Sequence, residues 1–94
     1  MIREDGARLA LEGPLTLATV APLAEAGRPL VASTDRVVDL TAVTHVDSAA
    51  LALLLSWMRV ARGAGRQLSI TGAPAALVSL ASLYDVDTIL PLGR

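Results

Sequence analysis

From Ala49 to Arg62 the sequence is an unbroken set of good helix formers, apolar throughout from Ala49 to Leu55. A helix built from this segment is greasy on two sides. At about 100° per residue, Leu51, Leu54, Leu55 and Met58 fall on one stripe, while Leu53, Trp57 and Val60 form a second stripe roughly opposite. Only the sector of Ala52, Ser56 and Arg59 is left clearly polar. One helix lying on one sheet cannot bury both stripes. The chain has 94 residues, enough for a single domain over 1–94 and too few for a second core. The second stripe therefore meets another helix of the same domain or lies open to a partner, since exposed apolar patches mark interaction surfaces. Trp57 favours the partner, because tryptophan is enriched among interface hot spots.

The segments around this helix read as strands and shorter helices. From Ala7 to Glu12, Leu9 and Leu11 alternate with polar or small neighbours, as in a strand with one wet face. Gly13-Pro14 reads as a turn, and Thr16 as the N-cap of a helix to about Glu25, which Gly27 and Pro29 end. Pro22 lies inside that helix and requires it to kink or to start later. Arg36 to Leu40 suits a central strand, and Thr41 to Val46 a connector before Asp47-Ser48. Gly63 and Gly65 stop the main helix, and Gln67 to Thr71 alternates as a further strand. Beyond Gly72 and Pro74, Leu77, Leu80, Ala81 and Tyr84 mark the inner face of a last helix, followed by an extended tail at Thr88 to Leu90. A strand, helix, strand succession needs a crossover that makes the two strands parallel. The expected fold class is α/β, a mixed sheet of four or five strands with helices mainly on one face.

Composition removes several classes of function. Cysteine is absent and His45 is the lone histidine, so neither a disulfide framework nor a structural zinc site can be built; no cofactor is expected. The cations are all arginine, eight against nine acids, without the basic surplus that nucleic-acid binding needs. Trp57 and Tyr84 alone are too few for stacking on bases or sugars. No apolar run approaches the ~20 residues of a membrane span, and the charged start Met-Ile-Arg-Glu-Asp-Gly is unlike a signal peptide. A cytoplasmic protein without direct membrane insertion is expected. His45, Asp47 and Ser48 are the residue types of a hydrolase triad. Crowded into four positions, however, they do not converge in nucleophile, base, orienter order, and no G-x-S-x-G elbow is present, so no catalytic residue is assigned. Asp47 or Ser48 can cap the main helix, and a hydroxyl at a helix start is also a docking point or a phosphate acceptor.

The run Val38-Asp39-Leu40-Thr41-Ala42-Val43-Thr44-His45-Val46-Asp47-Ser48-Ala49-Ala50-Leu51-Ala52-Leu53-Leu54 resembles the centre of STAS domains, the sulfate-transporter and anti-sigma-factor-antagonist family. The likeness extends from Gly13-Pro14-Leu15-Thr16 to Ile89-Leu90-Pro91. It is nearest to the MlaB-like branch, small STAS subunits of bacterial phospholipid ABC transporters, through Leu51 to Leu55, Leu68 to Gly72 and Leu80 to Tyr84. The resemblance implies a non-catalytic subunit that binds the transporter's cytoplasmic ATPase and is held at the inner membrane through it. A weak homo-oligomer is a further expectation. By resemblance Ser48 falls on the Ser/Thr position that is phosphorylated in anti-sigma-factor antagonists, and Asp47 on the acid before it. Ala50 stands where the family usually has Gly, and Pro14 and Thr16 replace the Glu and Asp of its early Gly-Glu-Leu-Asp turn. The partner-binding set expected is Asp47, Ser48, Ala49, Leu53 and Trp57, with Ser48 also the regulatory position.

Overall fold

Alternation along the strands gives the sheet one dry face and one wet face. Leu9, Val38 and Ile70 lie side by side in register on three strands and are all buried, while Arg8, Asp39, Ser69 and Thr71 belong to the polar face. The structure, a computed structural model, describes residues 2–86 and Leu90. Its elements are β1 (Ile2–Asp5), β2 (Arg8–Leu15), α1 (Val20–Ser33), β3 (Arg36–Val46), α2 (Ser48–Gly63), β4 (Leu68–Thr71) and α3 (Ala75–Leu83). The sheet runs β1-β2-β3-β4, with β1 antiparallel to β2 and the other two pairs parallel. Two crossovers stepping in the same direction place α1 and α2 over the same face. This is the expected α/β architecture with a four-stranded mixed sheet.

Several boundaries differ from the sequence reading. β1 was not anticipated. It pairs with β2 through the two-residue turn Gly6-Ala7, where Gly6 has φ 60°, a left-handed value that glycine adopts without penalty. Gly13-Pro14 is not a turn but part of β2. Pro14 lies beyond the end of β1, on a stretch with one strand neighbour among the described residues, where a missing N–H is tolerated. Thr41 to Val46 is likewise no connector. It continues β3 alongside the end of β2, with register shifts that each insert one extra β3 residue. Of the extended tail, Thr88 and Ile89 lie outside the described residues; Leu90 is buried at a bend.

The first helix starts about three residues later than expected and runs eight residues further. It begins at Val20, so Pro22 sits in the first turn, where its missing N–H would have had no helical partner anyway. It then passes through Gly27 and Pro29 instead of ending there. Pro29 removes one helical hydrogen bond, to the Glu25 carbonyl, on a side where Glu25, Ala26 and Pro29 are all exposed. Tertiary contacts offset that loss. Val31 is fully buried, and Arg36, 6% exposed, donates from Nε to Leu30 O (2.9 Å), from Nη1 to Gly6 O (2.9 Å) and from Nη2 to Ser33 Oγ (3.2 Å), while pairing with Glu4 (2.9 Å). This guanidinium ties the carboxyl end of α1 to the β1–β2 hairpin, sharing the Leu30 carbonyl with the Ser33 hydroxyl, which also donates to it (2.9 Å).

The helix–helix seam settles where the second stripe of α2 goes. Trp57 is 1% exposed, its ring over Gly27 of α1 and its Nε1–H donating to Ala24 O at 3.2 Å. A Cβ at Gly27 would lie 2.6 Å from Trp57 Cε2, closer than packed carbons approach. The sequence reading that directed Trp57 toward a partner is thus corrected. α1, longer than expected, covers it.

α2 and α3 end in the same way. Gly65 (φ 73°) follows α2, with Gly65 N–H bonded to Arg62 O and Arg66 N–H to Ala61 O; Asp85 (φ 61°) follows α3, with Asp85 N–H bonded to Ser82 O and Val86 N–H to Ala81 O. Tyr84, expected on the inner face of α3, is instead its carboxyl cap and is exposed.

Two substitutions test this packing by the sign of their effect. Helix propensity favours Gly27→Ala by up to ~1 kcal/mol, but contact with the Trp57 ring reverses that. Net destabilisation of about 1–3 kcal/mol is expected by chemical denaturation, as for other overpacked sites. Asp85→Gly removes a left-handed non-glycine residue and is expected to stabilise the fold by about 0.5–1 kcal/mol, read as a raised Tm.

Candidate partner-docking site at the start of the second helix

The parallel ends of β2 and β3 bring two loops together. Leu15 pairs with Val46, so the turn after β2 and the Asp47-Ser48 step after β3 leave the sheet side by side. Asp47 joins them. Its Oδ1 accepts the Ala49 N–H (2.8 Å), the N-cap bond of α2, and its Oδ2 accepts the Leu17 N–H (3.1 Å) from the neighbouring turn. The turn is also locked internally. Thr19 Oγ1 accepts the Thr16 N–H (2.9 Å) and donates to Pro14 O (2.8 Å), and the Thr19 and Val20 N–H groups both bond to Thr16 O. Thr19, not Thr16, therefore precedes α1.

This bonding fixes Leu17 in an exposed position. Leu17 is 82% exposed despite being wholly apolar, and no strand or helix offers it cover. A groove of about 470 Å³ runs from Leu17 between Val20 and Ala24 of α1 and Ser48, Ala52 and Leu53 of α2. A second groove, about 280 Å³, lies on the other side of Ser48 and Ala52, bounded by Leu55, Tyr84 and Val86. Leu83 (76% exposed) and Tyr84 (55%) are the remaining large exposed apolar side chains among the described residues. The start of α2 is thus a ridge of small residues between two apolar grooves, with Leu17 and Tyr84 on its two flanks.

Of the residues expected to bind a partner, Ser48 is exposed on the ridge, Ala49 lines the first groove, and Leu53, 3% exposed, is part of its floor. Asp47 is half-buried, and both of its oxygens are engaged in holding the site together. Trp57 lies beneath the surface, in the α1–α2 seam. Sequence reading missed Leu17, placed inside a helix, and Tyr84, counted as core. The usable signal for Leu17 was Thr at both 16 and 19 with Pro three residues later, which makes 16–19 a turn and 22 a first-turn position.

His45, Asp47 and Ser48 are not brought together as a hydrogen-bonded triad. His45 is exposed, its Nδ1 3.2 Å from Thr44 Oγ1, and no hydrogen bond links it to Asp47 or Ser48 among the described residues. Nor does any group of three or more potential metal ligands occur among them. Among the described residues the one carboxyl clearly shifted, Asp39, lies elsewhere, on the wet face of the sheet. Hydrogen bonds from Thr41, from Oγ1 at 2.6 Å and N–H at 3.0 Å, together with Arg8 and Arg3, hold it below the usual aspartate range.

Comparison with known proteins agrees with this architecture. The sequence matches the family described as "Mlab, STAS domain" over residues 1–91. The chain belongs to the STAS family. No curated protein matches it. Among solved structures, this STAS domain superposes on a putative anti-sigma factor antagonist from Thermotoga maritima with a TM-score of 0.81 at 12% identity, covering 100% of this chain and 85% of that one. An anti-sigma factor antagonist from Mycobacterium paratuberculosis gives 0.76 at 19% identity, covering 100% and 83%. The antagonist SpoIIAA in its unphosphorylated form gives 0.69 at 12% identity, covering 88% and 81%. These likenesses show the shared fold.

Asp47→Ala removes the acceptor of two backbone N–H groups at once. A loss of about 1–2 kcal/mol is expected, typical of a strong N-cap. Amide exchange at Leu17 and Ala49 should accelerate well beyond that in the α1–α2 seam. Uniform exchange across the domain would contradict the clamp.

Proposed function

We propose that this STAS domain is a non-catalytic accessory subunit that docks onto the cytoplasmic ATPase of a phospholipid-transporting ABC complex, of the kind that maintains outer-membrane lipid asymmetry. The observation carrying this reading is the apolar surface held open around Ser48, with Leu17 at 82% and Tyr84 at 55% exposure on the flanks of the small-residue ridge. A lone domain gains nothing from locking a leucine into solvent through bonds to Asp47 and Thr19, whereas a docking surface does. The family description supports the choice of partner. On this reading the chain works in the cytoplasm and reaches the inner membrane through its protein partner. Among the described residues no helix is long and apolar enough to cross a membrane.

A second reading has its own support. Three of the structural neighbours are described as anti-sigma factor antagonists, and Ser48 is exposed at the first turn of α2, accessible to a kinase. A phosphate there would add about -1.5 to -2 charge beside Asp47 and at the mouth of both grooves. That charge would oppose an apolar partner. In this alternative the domain is an antagonist released or recruited by the state of Ser48.

Affinity capture of the tagged chain from native membranes separates the two. The accessory-subunit reading expects an ABC ATPase at stoichiometric level, with Ser48→Glu and Leu17→Ser each weakening capture by about tenfold or more while Tm is preserved. Recovery of the chain without any ATPase, together with a phosphorylated fraction at Ser48 by intact mass, would replace it with the second.

A further inference from the structure

The docking face continues past the grooves and becomes cationic. Viewed along α2, Ser48, Ala52, Ser56, Arg59 and Arg62 fall in one sector of the helix, and this sector is the solvent side. It spans about 20 Å, at ~1.5 Å per residue. The helix contains no acidic residue. Elsewhere arginines are matched: Arg3, Arg8, Arg28 and Arg36 each lie within 3.6 Å of a carboxylate. Among the described residues the arginines without such a partner are Arg59 and Arg62, near the carboxyl end of α2, and Arg66, in the loop after it, in a chain whose acids outnumber its cations. Arg62 suits the helix dipole. Dipole compensation does not require leaving both Arg59 and Arg62 unpaired on the face that also carries the grooves.

Resting on the docking reading above, we infer that the α2 face receives an amphipathic helix of the ATPase that places an apolar side chain over Ser48 and Ala52 and carboxylates over Arg59 and Arg62. Small residues at 48, 52 and 56 let a helix approach closely, at the 8–10 Å axial separation of packed helices. Leu17 and Tyr84 close on its apolar side from either flank. The arginines lie two to four turns further along, so the partner's acids should lie about 10–20 Å along its helix from its apolar anchor. Membership of the pair is then selected by charge as well as by shape. A second copy of this chain is a poorer occupant. At that end Asp47 is already held by the Ala49 and Leu17 amides, which leaves a facing copy only the exposed Asp85, beside Tyr84, to set against both Arg59 and Arg62.

The test measures affinity of the full chain for the captured ATPase at low and at physiological salt. Arg59→Glu should weaken binding about tenfold or more and flatten its salt dependence, as charge-reversed contacts do. Arg59→Lys should retain most of the affinity, and Arg3→Glu, an equal change of net charge on the opposite face of the sheet, should stay near wild type. Unchanged binding by Arg59→Glu, with Leu17→Ser still impaired, would overturn the acidic helix while leaving the docking surface in place. Absence of ATPase binding by the wild-type chain would remove both readings. A wild-type dimer in solution that Arg59→Glu dissociates would overturn the inference in favour of a second copy.

Discussion

The architecture depends on the seam in which Trp57 lies against Gly27. A sheet with one dry face and a helix with two apolar stripes leave a hydrophobic surface that only a second helix can cover, and α1 covers it at the closest approach glycine permits. The indole also needs a hydrogen-bond acceptor once buried, and the Ala24 carbonyl provides it. Arg36 secures the other end of α1 against the hairpin. With both ends fixed, α1 is placed firmly enough that its amino-terminal turn can serve as one wall of a groove.

The site arises where the sheet ends. Parallel strands deliver their carboxyl ends to one edge, and there Asp47 uses one carboxylate oxygen to cap α2 and the other to hold the Leu17 turn. The cap and the clamp are therefore one side chain's work, and on the proposed docking reading Asp47 contributes by shaping the surface, not by touching the partner. Ser48, next in the chain, stands free at the same edge. Any charge added to it would appear between the two grooves and beside a carboxylate that organises both loops.

STAS membership places this domain in a family whose domains act through protein contacts. What distinguishes the present chain is the chemistry of its open face. Small residues, flanking leucine and tyrosine and unpaired arginines form a graded surface along one helix, apolar at its start and cationic at its end. On the proposed docking reading, such a surface selects its partner by two independent criteria.

The sequence alone determined what local pattern can determine. Period-two alternation marked the strands holding Leu9 and Ile70 and the single dry face of the sheet, and a short β-rich run marked the strand holding Val38. The block of helix formers gave α2, Asp47 marked its cap, and the run around Asp47-Ser48 identified the family. Tertiary structure decided the rest, because those questions compare distant parts of the chain. Whether Gly27 and Pro29 end a helix depends on Trp57, thirty residues later; whether Trp57 is surface or core depends in turn on that helix continuing. Leu17 is exposed because of a hydrogen bond to Asp47, also thirty residues away, and Tyr84 because the helix carrying it stops one residue earlier. Local propensity, at ~1 kcal/mol per residue or less for all but proline, is too small to decide such positions against the burial of an aromatic ring.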